Sequence, residues 1–177
     1  TLCVIGFSLQ QFTDMSTLHF SPDYLTRPWV LVTSMFLHAN IVHLAYNLYA
    51  LFIFGNVLEK NTNSLFTFLT ILLGGVAGNV NFSFFSNANA LGFSGAVYSL
   101  IGAVTVLLPN VKIPLPFGAI AVPAKAWFAG PAMALGELLL SVASFGIVAH
   151  SAHFGGFLAG LILSLVWKKV TRKKSRS

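Results

Sequence analysis

Ser94, in Gly92-Phe93-Ser94-Gly95, and His153, in Ala152-His153-Phe154-Gly155-Gly156, each sit at the start of an apolar run. A serine hydroxyl is a weak nucleophile at neutral pH and needs a neighbouring base, for which imidazole is well suited. Polar groups inside membrane-length segments are costly and usually functional. Together the two residues point to nucleophilic chemistry inside a bilayer. Gly92 and Gly95 allow a tight backbone and close approach of another chain to Ser94. The helix start that follows offers free N–H groups to an oxyanion. Two simpler readings stand beside this one. Ser94 could merely cap a helix, and His153 could merely hydrogen-bond between helices.

Other polar residues share the same stratum. His43 and Asn47 are spaced i, i+4 and lie on one helix face, where both can donate to a developing oxyanion. The alternative is a polar pair tying two helices together. Tyr98, one turn after Ser94, is placed to stack on the His153 ring or to fill the core. Gly156 and Gly160 form a small-xxx-small face below His153, so the imidazole points into a helix contact. His38, His43, His150 and His153 would give four imidazoles to a metal, and His150 and His153 are spaced to chelate. No HExxH or paired carboxylate accompanies them, so no metal and no cofactor is expected. Glu59, at a helix end, reads as a structural anchor pairing with Lys60 or loop amides. Glu137 lies within an apolar segment and is expected to be neutral or hydrogen-bonded, without a part in catalysis.

The elements that must position these groups are membrane spans. The chain has 177 residues, 56% hydrophobic and only 8% charged, against roughly 25% charged in soluble domains. Its mean hydropathy is +0.81, so it cannot cover a water-facing surface and reads as an integral membrane protein. Six apolar segments emerge: a partial one near 1–12, then about 39–58, 64–85, 94–108, 126–145 and 150–167. The first resembles the remainder of a helix that starts before this chain. The segment with Pro114, Pro116 and Pro123 resists helix formation. The lone Cys3 excludes an internal disulfide.

Charge orients the spans. Six of the ten Lys/Arg fall in the tail of about 168–177, which reads as a cytoplasmic anchor beside anionic lipid, not as a nucleic-acid site. With the C-terminus cytoplasmic, nine of the ten lie on that side and only Arg27 lies outside. Spans two, four and six then all start at the outer face. From Ser94 to Leu108 is 15 residues, about 22 Å of helix, shorter than the roughly 30 Å hydrocarbon core. Ser94 should therefore sit in a depression below the surface.

Taken in order, His38, His43-x-x-x-Asn47, Gly92-x-Ser94-Gly95 and Ala152-His153-x-x-Gly156-x-x-x-Gly160 resemble the rhomboid family of intramembrane serine proteases over nearly the whole chain. The resemblance implies an all-α polytopic fold, a six-transmembrane-helix bundle forming one domain over 1–177. It implies Ser94 as nucleophile and His153 as general base. Asn47, His43 and the Ser94 N–H would form the oxyanion hole. Gly92 and Gly95 would shape the loop, Tyr98 would lie against the histidine, Glu59 would be structural, and Gly156 and Gly160 would hold two spans together. The implied substrates are transmembrane proteins, cleaved where a transmembrane segment unwinds near the outer surface. The implied setting is a prokaryotic plasma membrane with the C-terminus cytoplasmic. Two departures are visible: Trp29 is followed by Val30, where many bacterial members carry Trp-Arg, and Arg27 precedes it; and the first span reads as incomplete. The competing functions are a non-catalytic rhomboid-like binder of transmembrane clients, which typically lacks the serine or histidine, and a transporter. A transporter needs polar residues along a full path, which spans four and six do not provide.

Overall fold

The computed structural model describes residues 2–117, 120–143 and 149–174. Among them are helices α1 (Leu2–Gln10), α2 (Val30–Thr33), α3 (Ile41–Asn61), α4 (Ser64–Ser83), α5 (Ser94–Leu107), α6 (Ala126–Val142) and α7 (His150–Lys174), with strands β1 (Lys112–Phe117) and β2 (Ile120–Lys125). Three helices, α3, α4 and α7, are long and apolar enough to cross a membrane; α5 and α6 are shorter apolar helices. Exposed large apolar side chains line the outside, among them Tyr46, Phe52, Leu69, Trp127, Leu139 and Ile162. That distribution suits a lipid solvent.

Local chemistry sets several helix starts. Asn40 caps α3 by accepting from the His43 N–H at 2.8 Å, and Asn63 caps α4 by accepting from Phe66 N–H at 2.8 Å. α5 is the most enclosed helix, with nine buried residues in 14, and it packs chiefly against α7 and α4. Ser99 on α5 donates to the Thr70 carbonyl of α4 at 2.6 Å. Where α5 meets α7 the backbones nearly touch. A Cβ at Gly156 would strike the Gly95 carbonyl, and one at Gly160 would strike that of Ser99.

Cross-helix contacts fix the directions. Ser94 and His153 meet near the starts of α5 and α7, while Lys168 on α7 donates to the Val106 carbonyl near the end of α5 at 3.2 Å. The two helices therefore run parallel. Phe66 near the start of α4 meets Trp167 late in α7 at a ring-centroid separation of 4.5 Å, so α4 runs the other way. His43 near the start of α3 lies against Gly92 just before α5. α3, α5 and α7 thus all start at one end, as the charge pattern anticipates.

Two expectations need correcting. The proline-rich segment is not helix, as expected, but it forms an antiparallel ribbon that pairs Lys112 with Lys125 and Pro114 with Pro123, so the fold is mostly rather than wholly α. Both strands of a two-stranded ribbon are edge strands, where proline is tolerated, and Ile113 is buried in the core. The sixth apolar segment, expected to end near 167, continues as α7 through Lys174, so the basic stretch begins as helix. Lysine and arginine are good helix formers, so a run of positive charge does not by itself end a helix. Smaller shifts occur elsewhere: the fifth segment ends as helix at Val142, and residues 144–148, within or beside its expected end, lie outside the described residues.

The loop before α3 is tied down from within. Arg27 donates to both carboxylate oxygens of Asp23, at 2.8 and 2.9 Å, and to the Ser21 hydroxyl at 2.7 Å. Ser21 also hydrogen-bonds Asp23. The Arg27 guanidinium, followed by the Ser21 hydroxyl, holds the Asp23 carboxyl at about 2. Asn79 on α4 donates to the Leu31 carbonyl at 2.9 Å and to Ser34 Oγ at 3.0 Å. This is how a chain with its arginine before Trp29 secures the loop.

The α5–α7 contact gives a direct test. Gly160→Ala forces the helices apart and should destabilise the protein by about 1–3 kcal/mol, the usual cost of overpacking. Gly136, also helical, has no heavy atom near a built Cβ. Gly136→Ala should be neutral or stabilising by up to about 1 kcal/mol. Thermal unfolding in one detergent should therefore lower the Tm of the first variant and leave or raise that of the second.

Candidate active site

Ser94 is the first helical residue of α5 and makes no capping bond; the cap position is Phe93. Its hydroxyl turns sideways instead, and Oγ lies 2.6 Å from His153 Nε2 on α7. Just upstream, Gly92 has φ +125°, a conformation that suits glycine, and its N–H donates to the Ser34 carbonyl at 3.0 Å. The loop is pinned further by Phe20 and Ala90, whose backbones exchange two hydrogen bonds.

His153 is 7% exposed and boxed in on every side. The Tyr98 ring lies parallel to it, at a centroid distance of 4.6 Å and an interplanar angle of 5°. On the other nitrogen, Nδ1 lies 2.9 Å from Glu137 Oε2 on α6, although the approach is off the N–H axis and makes no aligned hydrogen bond. Glu137 is itself held firmly. Tyr98 OH donates to its Oε1 at 2.6 Å, and His150 Nδ1 lies 2.6 Å from its Oε2. α5, α6 and α7 therefore contribute a hydroxyl, a carboxylate and an imidazole to one cluster.

Glu137 is the residue that sequence reasoning set aside. A signal existed, since a carboxylate within an apolar span is a functional-site candidate by default. Its partners were not legible, because they depend on how α6 and α7 are rotated against each other.

The remaining expected residues fall around this cluster. A Cβ at Gly92 would come within 2.7 Å of His43 Cε1 and 2.9 Å of its Nε2, so that imidazole lies against the loop two residues before Ser94. Asn47 is buried, and one of its amide hydrogens is given to the His43 carbonyl at 2.9 Å. The second hydrogen remains to donate elsewhere. His38 is 1% exposed with both ring nitrogens unpartnered, edge-on to His43 at 5.1 Å. Burial pushes it down to about 4, which keeps it neutral. Gly95 faces Gly156 and Ser99 faces Gly160. Glu59 accepts from Ser64 Oγ at 2.5 Å across the α3–α4 turn, so its anchor is that hydroxyl rather than Lys60 or loop amides. A small cleft beside Ser94 is lined by Asn79, Gly92, Gly95, Ala149 and Ala152.

A family model described as the Rhomboid domain matches residues 25–169, most of the chain and all of these groups. The chain belongs to the rhomboid family. Rhomboid protease GlpG of Yersinia pestis (strain Pestoides F) is 30% identical over 190 residues, covering 99% of this chain and 62% of that protein. RHOMBOID-like protein 6, mitochondrial, of Arabidopsis thaliana is 33% identical over 146 residues, covering 78% of this chain and 43% of that protein. This rhomboid chain thus spans less than two thirds of the length of the relatives it matches.

The Tyr98 contacts can be separated by substitution. Tyr98→Phe keeps the ring against His153 but removes the bond to Glu137, and should cost about 1.5–3 kcal/mol as a hydrogen bond to a charged group. Tyr98→Ala loses the stacked ring as well and should cost more. Equilibrium unfolding of the two variants should rank them in that order.

Proposed function

We propose that this chain is an intramembrane serine endopeptidase acting on transmembrane segments of other membrane proteins. The reading rests above all on one observation, the 2.6 Å contact between Ser94 Oγ and His153 Nε2. It is supported by the family membership and by the order of the surrounding motifs. We take the chain as one rhomboid-like domain over 1–177 with six spans. In this reading the membrane is a prokaryotic plasma membrane, and the positive-inside bias supports a cytoplasmic C-terminus with the site near the outer face. The partners in this reading are membrane lipids and transmembrane substrates.

The mechanism follows from the donors and acceptors. Ser94 Oγ attacks the carbonyl carbon of the scissile peptide while His153 Nε2 takes the hydroxyl proton. This requires a neutral imidazole with its proton on Nδ1, the atom beside Glu137. The carboxylate favours that tautomer and steadies the imidazolium that forms. The tetrahedral oxyanion is stabilised by the Asn47 amide, His43 and the Ser94 N–H. Collapse breaks the C–N bond, and the proton on Nε2 passes to the leaving amine. Water then attacks the acyl-serine, with His153 again the base. A helix hides its carbonyls in hydrogen bonds, so a substrate segment must open locally, most easily at glycine or proline.

The retained serine and histidine, in hydrogen-bond contact, support this reading over a non-catalytic client binder. The test is cleavage of a glycine-containing transmembrane peptide in proteoliposomes. Ser94→Ala and His153→Ala should each abolish turnover, and cleavage persisting in Ser94→Ala would end the proposal. Asn47→Ala should lower kcat about 10²–10³-fold, as loss of an oxyanion donor does. Glu137→Gln, which removes the carboxylate charge beside Nδ1 but leaves the Tyr98 ring in place, should lower kcat about 10–100-fold while changing KM little.

A further inference from the structure

We propose that Glu137, His150 and His153 form a binding site for a zinc-like divalent cation, and that the bound ion switches off the Ser94–His153 pair. The inhibitory half of this proposal rests on the protease reading; the binding half does not.

The donor atoms His150 Nδ1, His153 Nδ1 and a Glu137 carboxylate oxygen lie within 4.8 Å of one another. Two come from the first turn of α7 and the third from the facing helix α6. The sequence withheld the carboxylate such a site needs, because Glu137 lies outside any motif shared with the histidines. Two imidazoles and a carboxylate are a frequent three-ligand set for zinc, leaving a fourth position for water. Imidazole nitrogen selects zinc and its neighbours over magnesium or calcium, which prefer oxygen ligands.

A second observation comes from His153 itself. The residue is buried, and its Nδ1 faces the cluster without an aligned hydrogen bond. Little rearrangement is needed to admit an ion. The carboxylate oxygen now lies 2.6 and 2.9 Å from the two nitrogens, whereas ligands of tetrahedral zinc stand roughly 3.3 Å apart. Tyr98, bonded to Oε1, leaves Oε2 for the metal and holds the carboxylate in place, as outer partners of metal ligands do.

The consequence follows from the two ring nitrogens. A neutral imidazole carries one proton and one lone pair. If Nδ1 gives its lone pair to the ion, the ring proton moves to Nε2, and no proton leaves the ring. Nε2 then donates to Ser94 Oγ and can no longer accept its proton. The serine remains in contact with the histidine but has lost its base.

The test uses the full chain without a polyhistidine tag, in detergent, carrying Ser94→Ala so that binding is read independently of catalysis. Titration with Co²⁺ should give a visible d–d absorption that saturates at one equivalent and is displaced by Zn²⁺. Adding His150→Ala or Glu137→Gln, with helical circular dichroism unchanged, should weaken binding at least about tenfold. No saturable absorption in the Ser94→Ala protein, or undiminished binding in both added variants, overturns the site. In the chain that keeps Ser94, Zn²⁺ should slow peptide cleavage reversibly to chelator, with at least about tenfold less sensitivity in His150→Ala, each protein measured against its own metal-free rate. Equal sensitivity in His150→Ala overturns the switch. A chain that binds Co²⁺ as described but never cleaves peptide contradicts the protease reading and leaves the metal site standing.

Discussion

Two helices can bring a serine hydroxyl and an imidazole within a proton's reach only if their axes approach closely. Short side chains such as serine leave no slack to span a wider gap. Here the approach is set by backbone against backbone: Gly156 lies on the Gly95 carbonyl and Gly160 on that of Ser99. In lipid, where apolar contact between helices brings no gain from excluding water, such close packing is a main source of association. The same contact that holds α5 to α7 therefore sets the 2.6 Å separation of Ser94 and His153.

A close pair must also be held in orientation. Tyr98 does this from α5 by lying parallel to the ring, and Glu137 does it from α6 by facing Nδ1. Because Tyr98 also bonds Glu137, the two restraints reinforce each other. On the loop side, Gly92 is hung from Ser34, and Ser34 is gripped by Asn79. The helix that carries Ser94 is short: 14 residues make about 21 Å. Gly95 lies against Gly78 of α4, short of that helix's end at Ser83, so Ser94 starts α5 below the end of α4.

Much of this was legible in the sequence because it depends on spacing along one chain. His153 and Gly156 share a face by helical period alone, and the glycine pair predicted a tight contact. Tyr98 against His153 follows from one turn of separation after Ser94. The rotation of α6 was not legible, and with it the convergence of Glu137, His150 and Tyr98, since no local period relates residues on separate helices. The β-ribbon was missed for a different reason. Prolines argue against helix, but they do not say which extended partner lies opposite. Lys168 to Lys174 read as a tail because of its charge, yet lysine and arginine are good helix formers and α7 continues through them.

The central claim, that His153 makes Ser94 a nucleophile, is tested most directly by locating a covalent adduct. A fluorophosphonate applied to the detergent-solubilised protein and followed by peptide mass spectrometry should modify one residue, Ser94. The modification should nearly vanish when His153 is replaced by alanine. A folded protein that acquires no adduct, or acquires it at full rate without His153, would contradict the account.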